Sequence, residues 1–127
     1  MRSQPRRVVI LHAPEDRDYA HRLYIHTSTS RRQGIMDVWH PGLVLAGADE
    51  DAEVQRRVQE AEVVLLLVSP TFLASASLAG AVDLALRRQR RDRAVIIPVL
   101  LRPVMLEATP LQGLRTLPSD GRPLSAW

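Results

Sequence analysis

The order of apolar and polar positions along the chain centres on one stretch. Six aliphatic residues, Val63–Val68, follow one another without alternation, after a polar run ending at Ala61-Glu62 and before Ser69-Pro70. An unbroken run of this length, bounded by a helix and a turn, reads as a central strand covered on both faces. Serine at the break can cap a new helix, and proline suits a helix's first turn. Residues 7–12, containing Val8-Val9-Ile10-Leu11, and residues 94–101 read as two further buried strands; residues 35–39 make a short fourth one. Pro98 removes a backbone donor from its strand and predicts a bulge or a local edge.

Helical spacing fills the intervals. Residues 16–27 place Tyr19, Ala20, Leu23, Tyr24 and Thr27 on one side, with Asp16 as the expected cap. Residues 49–62 carry acidic residues in the first turn and set Val54, Val58 and Ala61 on one face. A short turn of helix over 71–74 precedes a longer helix over 77–90, with Leu78, Ala81, Val82, Ala85 and Leu86 facing the core. Residues 1–6 read as loose and 28–34 as a loop or frayed helix end. A turn of helix near Leu111 to Leu114 and a last strand over 124–127 are expected in the proline-punctuated end. The alternation predicts an α/β domain: an open parallel sheet of four or five strands with helices on both faces. In such sheets binding sites lie beyond the carboxyl ends of the strands.

One connection departs from the polar norm. Residues 40–47, His40-Pro41-Gly42-Leu43-Val44-Leu45-Ala46-Gly47, are punctuated as a long loop yet hold three consecutive large aliphatics. These either fold back on the core or form an apolar surface for a partner.

Composition then narrows the chemistry. At 127 residues and 46% hydrophobic, the chain is one domain able to bury a core. The absence of cysteine excludes disulfides, thiolate metal sites and cysteine nucleophiles. Every one of the basic residues is arginine, which excludes a P-loop lysine, a Schiff-base lysine and the lysine of a phosphorylated receiver domain. His21 and His26 lack ligand partners at metal spacing and read as surface residues, so no metal is expected. Arg87-Arg88-Gln89-Arg90-Arg91-Asp92-Arg93 reads as a solvated helix end suited to the helix dipole. With so few aromatic residues, a nucleic-acid partner is not expected. No run is long enough to span a membrane and no leader pattern opens the chain, so a cytoplasmic domain is expected.

With these pieces in place the chain resembles a bacterial TIR (Toll/interleukin-1 receptor) domain along nearly its whole length. Val8 to Asp16 looks like the family's opening strand and acidic helix start, with Leu11-His12 where the family commonly has Ser-Tyr. Asp37-Val38-Trp39-His40 with Gly47 resembles the loop after its second strand, the BB loop. Residues 61–75 resemble its third strand and the Ser-Pro-x-Phe-Leu-x-Ser segment. Residues 97–103 and 117–123 resemble its fourth strand and late loop. The resemblance implies a flavodoxin-like sheet and two functions: self-association through BB loops, or cleavage of NAD at the nicotinamide–ribose bond. The family adds a final helix after the segment matched by 123–127, so a single domain over 1–127 that is a fragment of a longer protein is expected.

Enzymatic members place a glutamate on the helix after the third strand, where a carboxylate binds ribose hydroxyls and stabilises oxocarbenium-like charge. That position falls on Val82 here. Asp83 is adjacent, but one helical step turns it about 100°, so Asp83 is the catalytic candidate only under a shifted register. Glu15 and Asp16 are further carboxylates for such an enzyme. His12, Ala13 and Trp39 are the NAD-pocket residues the resemblance implies, and Pro41, Gly42, Leu43, Val44, Leu45, Ala46 and Gly47 the interaction residues. The expected function is a signalling and self-association module, with itself or other TIR domains as partner, in bacterial defence or stress signalling. It would need no cofactor and hydrolyse no NAD. The alternatives are an NAD-consuming hydrolase or cyclase activated by assembly, and a nucleotide or nucleic-acid binder using residues 87–93.

Overall fold

The computed structural model describes residues 4–107 and 109–117. Its elements run β1 (Arg6–His12), α1 (Arg17–His26), α2 (Ser28–Arg32), β2 (Met36–Trp39), α3 (Glu50–Glu60), β3 (Val63–Val68), α4 (Pro70–Ala74), α5 (Ala76–Arg90) and β4 (Val95–Leu100). The four strands form one parallel sheet in the order β2-β1-β3-β4. The unalternated run Val63–Val68 is therefore an inner strand, and its successive side chains enter opposite layers. Val9, Leu11, Val64, Leu66 and Val68 pack with Val58 of α3 and Ala81, Val82 and Ala85 of α5. Val8, Ile10 and Leu67 pack on the other face with Ala20, Leu23 and Tyr24 of α1. Helices thus cover both faces, as the α/β reading requires.

Local chemistry sets the element boundaries. Ser69 Oγ accepts from the Phe72 amide at 3.2 Å and Pro70 occupies the first turn of α4; Ser75 Oγ accepts from Leu78 at 3.3 Å to start α5. Asp49 does the same for α3 through Ala52 at 3.2 Å. Each such cap contributes about 1 kcal/mol.

Three expectations need correction, and the alternatives for Pro98 are decided. Residues 28–32 form a helix, because Arg31 ties it to α1: its guanidinium donates to the Tyr24 carbonyl at 2.9 Å and lies 3.7 Å from the Tyr24 ring centroid. Asp16 caps nothing. It is fully buried and ion-paired to Arg102, eighty-six residues away in sequence. Pro98 makes no bulge, since β3 and β4 pair in unbroken register through Leu66 and Pro98. It does sit on an edge. Val95 and Leu101 donate inward to the carbonyls of Glu62 and Val68, whereas Ile96 and Leu100 donate outward to Gln89 and Leu117, and Pro98 shares their outward side, where the missing donor costs least. Near Leu111 to Leu114 there are hydrogen-bonded turns and no helix. Leu117 adds an isolated parallel bridge to Val99. The expected strand over 124–127, most of the late loop over 117–123 and the first three residues lie outside the described residues.

Candidate functional site

The carboxyl ends of β1 and β2 meet the starts of α3 and α5 around a cavity of about 200 Å³. β1 and the turn after it supply His12, Pro14 and Arg17; the loop after β2 supplies Pro41 and Gly42. α3 adds Glu50, Asp51 and Val54, while the start of α5 adds Ser75, Ser77 and Leu78. This is the edge where an open parallel sheet holds ligands. Two carboxylates, an imidazole, a guanidinium and two hydroxyls face one small space, a set able to hydrogen-bond a hydroxylated ligand.

His12 and His40 are buried here, as is Asp16 in the turn after β1. His12 Nδ1 meets the Ala13 carbonyl at 2.7 Å, so that nitrogen carries the proton, and its Nε2 has no partner among the described residues. His40 Nδ1 accepts from the Gly42 amide at 3.1 Å, and its Nε2 is also unpartnered among the described residues. The His40 ring lies 6.1 Å from His12, 6.0 Å from His21 and 5.3 Å from Tyr24, centroid to centroid. Burial first, then the charges of His12, His21 and Arg17, push the His40 pKa down to about 4. His40 is therefore neutral at pH 7, and its lone pair holds the turn Pro41–Leu43. No His, Asp and Glu group among the described residues is arranged to hold a metal ion.

Gly42 lies close against that ring. A Cβ at Gly42 would lie 2.6 Å from His40 Cε1 and 2.9 Å from Nδ1. The ring is buried and cannot swing into solvent, so Gly42→Ala is expected to cost about 1–3 kcal/mol. The urea midpoint is the readout, and an unchanged midpoint would mean that the loop yields instead. Gly47, at φ +86°, makes the left-handed turn before α3.

The rest of the loop forms a second surface. Trp39, Leu43, Val44, Leu45, Ala48, Glu53 and Arg57 line a depression of about 380 Å³. Val44 packs against the core, while Leu45 is 80% exposed and Leu43 36%. The loop thus folds back on the core at Val44 and leaves Leu43 and Leu45 exposed. Arg57 donates to Glu53 at 3.1 Å and lies 5.5 Å from the Trp39 ring. Arg56 and Arg57 hold the Glu53 carboxyl below the usual range. The surface is thus an apolar patch bordered by charges that already neutralise one another.

The other named residues separate. Ala13 is wholly buried in the core layer and does not line the small cavity. Val82 is buried in the same layer. Asp83 points away from both cavities, its side chain 67% exposed and 3.5 Å from Arg87. Glu15 is exposed. Sequence reasoning missed Glu50 and Asp51 as cavity groups, because their spacing at a helix start signals only a favourable dipole.

Comparison with known proteins agrees with this architecture. The family model for the TIR domain matches residues 8–121. An uncharacterized protein, y4lF, of Sinorhizobium fredii is 31% identical over 101 residues; the match covers 79% of this chain and 31% of that protein, so the chain spans about a third of that relative's length. The crystal structure of the TIR domain of the Toll-related receptor TRR-2 from Hydra magnipapillata matches with a TM-score of 0.70 at 18% identity, over 91% of this chain and 86% of that one. At such identity the likeness is one of fold. No helix among the described residues is long and apolar enough to cross a membrane.

Proposed function

The chain belongs to the TIR domain family, a family of signalling and protein-interaction modules, and from that premise we infer that it signals by assembling with itself or with another TIR domain through residues 41–47, without hydrolysing NAD. The observation that carries this reading is the exposed apolar pair Leu43 and Leu45 beside the Trp39 depression. A large exposed aliphatic held on a structured loop is a surface that association can desolvate. The environment of Val82 supports the non-catalytic part: an aliphatic side chain packed in the core offers no group to a ribose hydroxyl. The reading sets the domain in the bacterial cytoplasm, in defence or stress signalling, and the similarity to a Sinorhizobium protein supports the bacterial setting.

The alternative is an NAD-consuming hydrolase or cyclase switched on by assembly. One feature favours it: the small cavity joins His12 to Glu50 and Asp51. In that reading Asp83 would need a rearranged α5 to reach the cavity, since its neighbour there is Arg87.

Light scattering across a dilution series tests the association. The scattering mass is expected to rise with concentration, for the domain alone or mixed with a TIR domain from the same organism. A monomeric mass in every mixture at the highest concentration would overturn the reading.

A further inference from the structure

Four of the chain's arginines gather at the end of the sheet opposite the functional site. α3 leads directly into β3 and α5 into β4, so the carboxyl ends of both helices meet the amino ends of the strands. There Arg87, Arg88, Arg91 and Arg93, with Gln59 and Leu84, line a cavity of about 620 Å³. That volume is in the range of small-molecule sites.

The four guanidiniums differ in what already occupies them. Arg88 donates to the carbonyls of Val58 at 2.9 Å, of Ala61, and of Arg93 at 3.3 Å, so it answers the negative end of α3. Arg87 has Asp83 at 3.5 Å, an exposed pair of small worth. Arg91 and Arg93 lie past the last helical residue, Arg90, and have no carboxylate partner among the described residues. Asp92 between them makes no ion pair there either, and Glu62 is engaged by Arg6 at 3.4 Å and Arg7 at 4.0 Å. Burial, then the nearby charges of Arg7 and Arg93, pull the Arg88 guanidinium below its ordinary value, opposed by Glu62. Arg91, at the C-cap of α5, and Arg93 just beyond it also suit that helix's dipole, but no carboxylate among the described residues occupies either guanidinium.

We propose that this cavity binds a small ligand carrying two or more adjacent phosphate groups, held by Arg87, Arg91 and Arg93 with the Gln59 amide beside them. A guanidinium presents paired donors that match phosphate oxygens. One phosphate brings at most about two negative charges at neutral pH, which Arg91 and Arg93 match by themselves; the third arginine calls for a second phosphate.

Calorimetric titration of the 127-residue chain at low salt tests this, with inorganic tripolyphosphate, a nucleoside triphosphate and orthophosphate as probes. Tripolyphosphate is expected to bind at least about tenfold more tightly than orthophosphate, and R91Q/R93Q to weaken it at least about tenfold. The control R22Q/R32Q, an equal loss of charge at exposed positions elsewhere, is expected to change affinity less than about twofold. Tighter binding of the nucleoside triphosphate would assign the phosphates to a nucleotide, and equal binding to a free polyphosphate. Absent binding, equal affinity for orthophosphate, or equal weakening by both double variants would overturn the proposal. So would a single-stranded oligonucleotide that binds more tightly than either polyphosphate and is lost in R91Q/R93Q.

Discussion

Leu45→Asp is expected to abolish the concentration-dependent rise in scattering mass while leaving the melting temperature unchanged. Leu45 is 80% exposed, so the folded monomer loses no core packing when it is replaced, and such surface changes stay within about 0.5 kcal/mol. In an assembly the same position would be covered, and an aspartate there must shed its water while Arg57, the arginine of the same depression, is already paired with Glu53. Loss of an apolar anchor together with burial of a charge weakens association by about 2 kcal/mol or more, at least about thirtyfold. Position 45 separates folding from association where position 44 does not, because Val44 packs against the core. If Leu45→Asp and the wild type give the same mass at every concentration, the loop is not the interface.

Acidification is expected to destabilise the domain through His40. In the unfolded chain a histidine titrates near pH 6.5; in the fold its pKa lies at about 4, because burial and the neighbouring His12, His21 and Arg17 oppose its charge. The unfolded state therefore takes up a proton that the folded state refuses. Stability is full above about pH 6.5 and falls as pH drops toward and through about 4, at up to about 1.4 kcal/mol per unit, a total near 3 kcal/mol. Protonation would also convert the acceptor of the Gly42 amide into a donor, so the turn Pro41–Leu43 loosens along with the fold. Urea midpoints from pH 7.5 to 4.5 are expected to fall more steeply for the wild type than for His40→Asn, whose side-chain oxygen can replace Nδ1 as acceptor. Parallel profiles would show that His40 does not carry the pH dependence.

How much of this was legible in the sequence depends on how local each feature is. β3 and the cap of α4 were readable because six aliphatics and Ser69-Pro70 carry the signal within one short stretch. The sheet's class followed from alternating periods, and the order β2-β1-β3-β4 agrees with it. The pairing of Asp16 with Arg102 was not readable, since nothing near either residue names a partner eighty-six positions away. The same holds for the convergence of His12, His21 and His40 from two strand ends and a helix. Glu50 and Asp51 join the cavity only because the loop 40–49 folds α3 against the end of β1. The apolar loop was legible as an anomaly; which residue turns inward and which outward was decided by packing on Trp39 and the core.

Nicotinamide release and scattering mass, read on the same samples of purified domain from dilute to highly concentrated with NAD present, test the central claim most directly. A module that signals by association alone is expected to form assemblies while NAD stays intact. Nicotinamide release that appears with assembly would contradict the account and turn attention to Asp83 and to Glu50 and Asp51 beside His12.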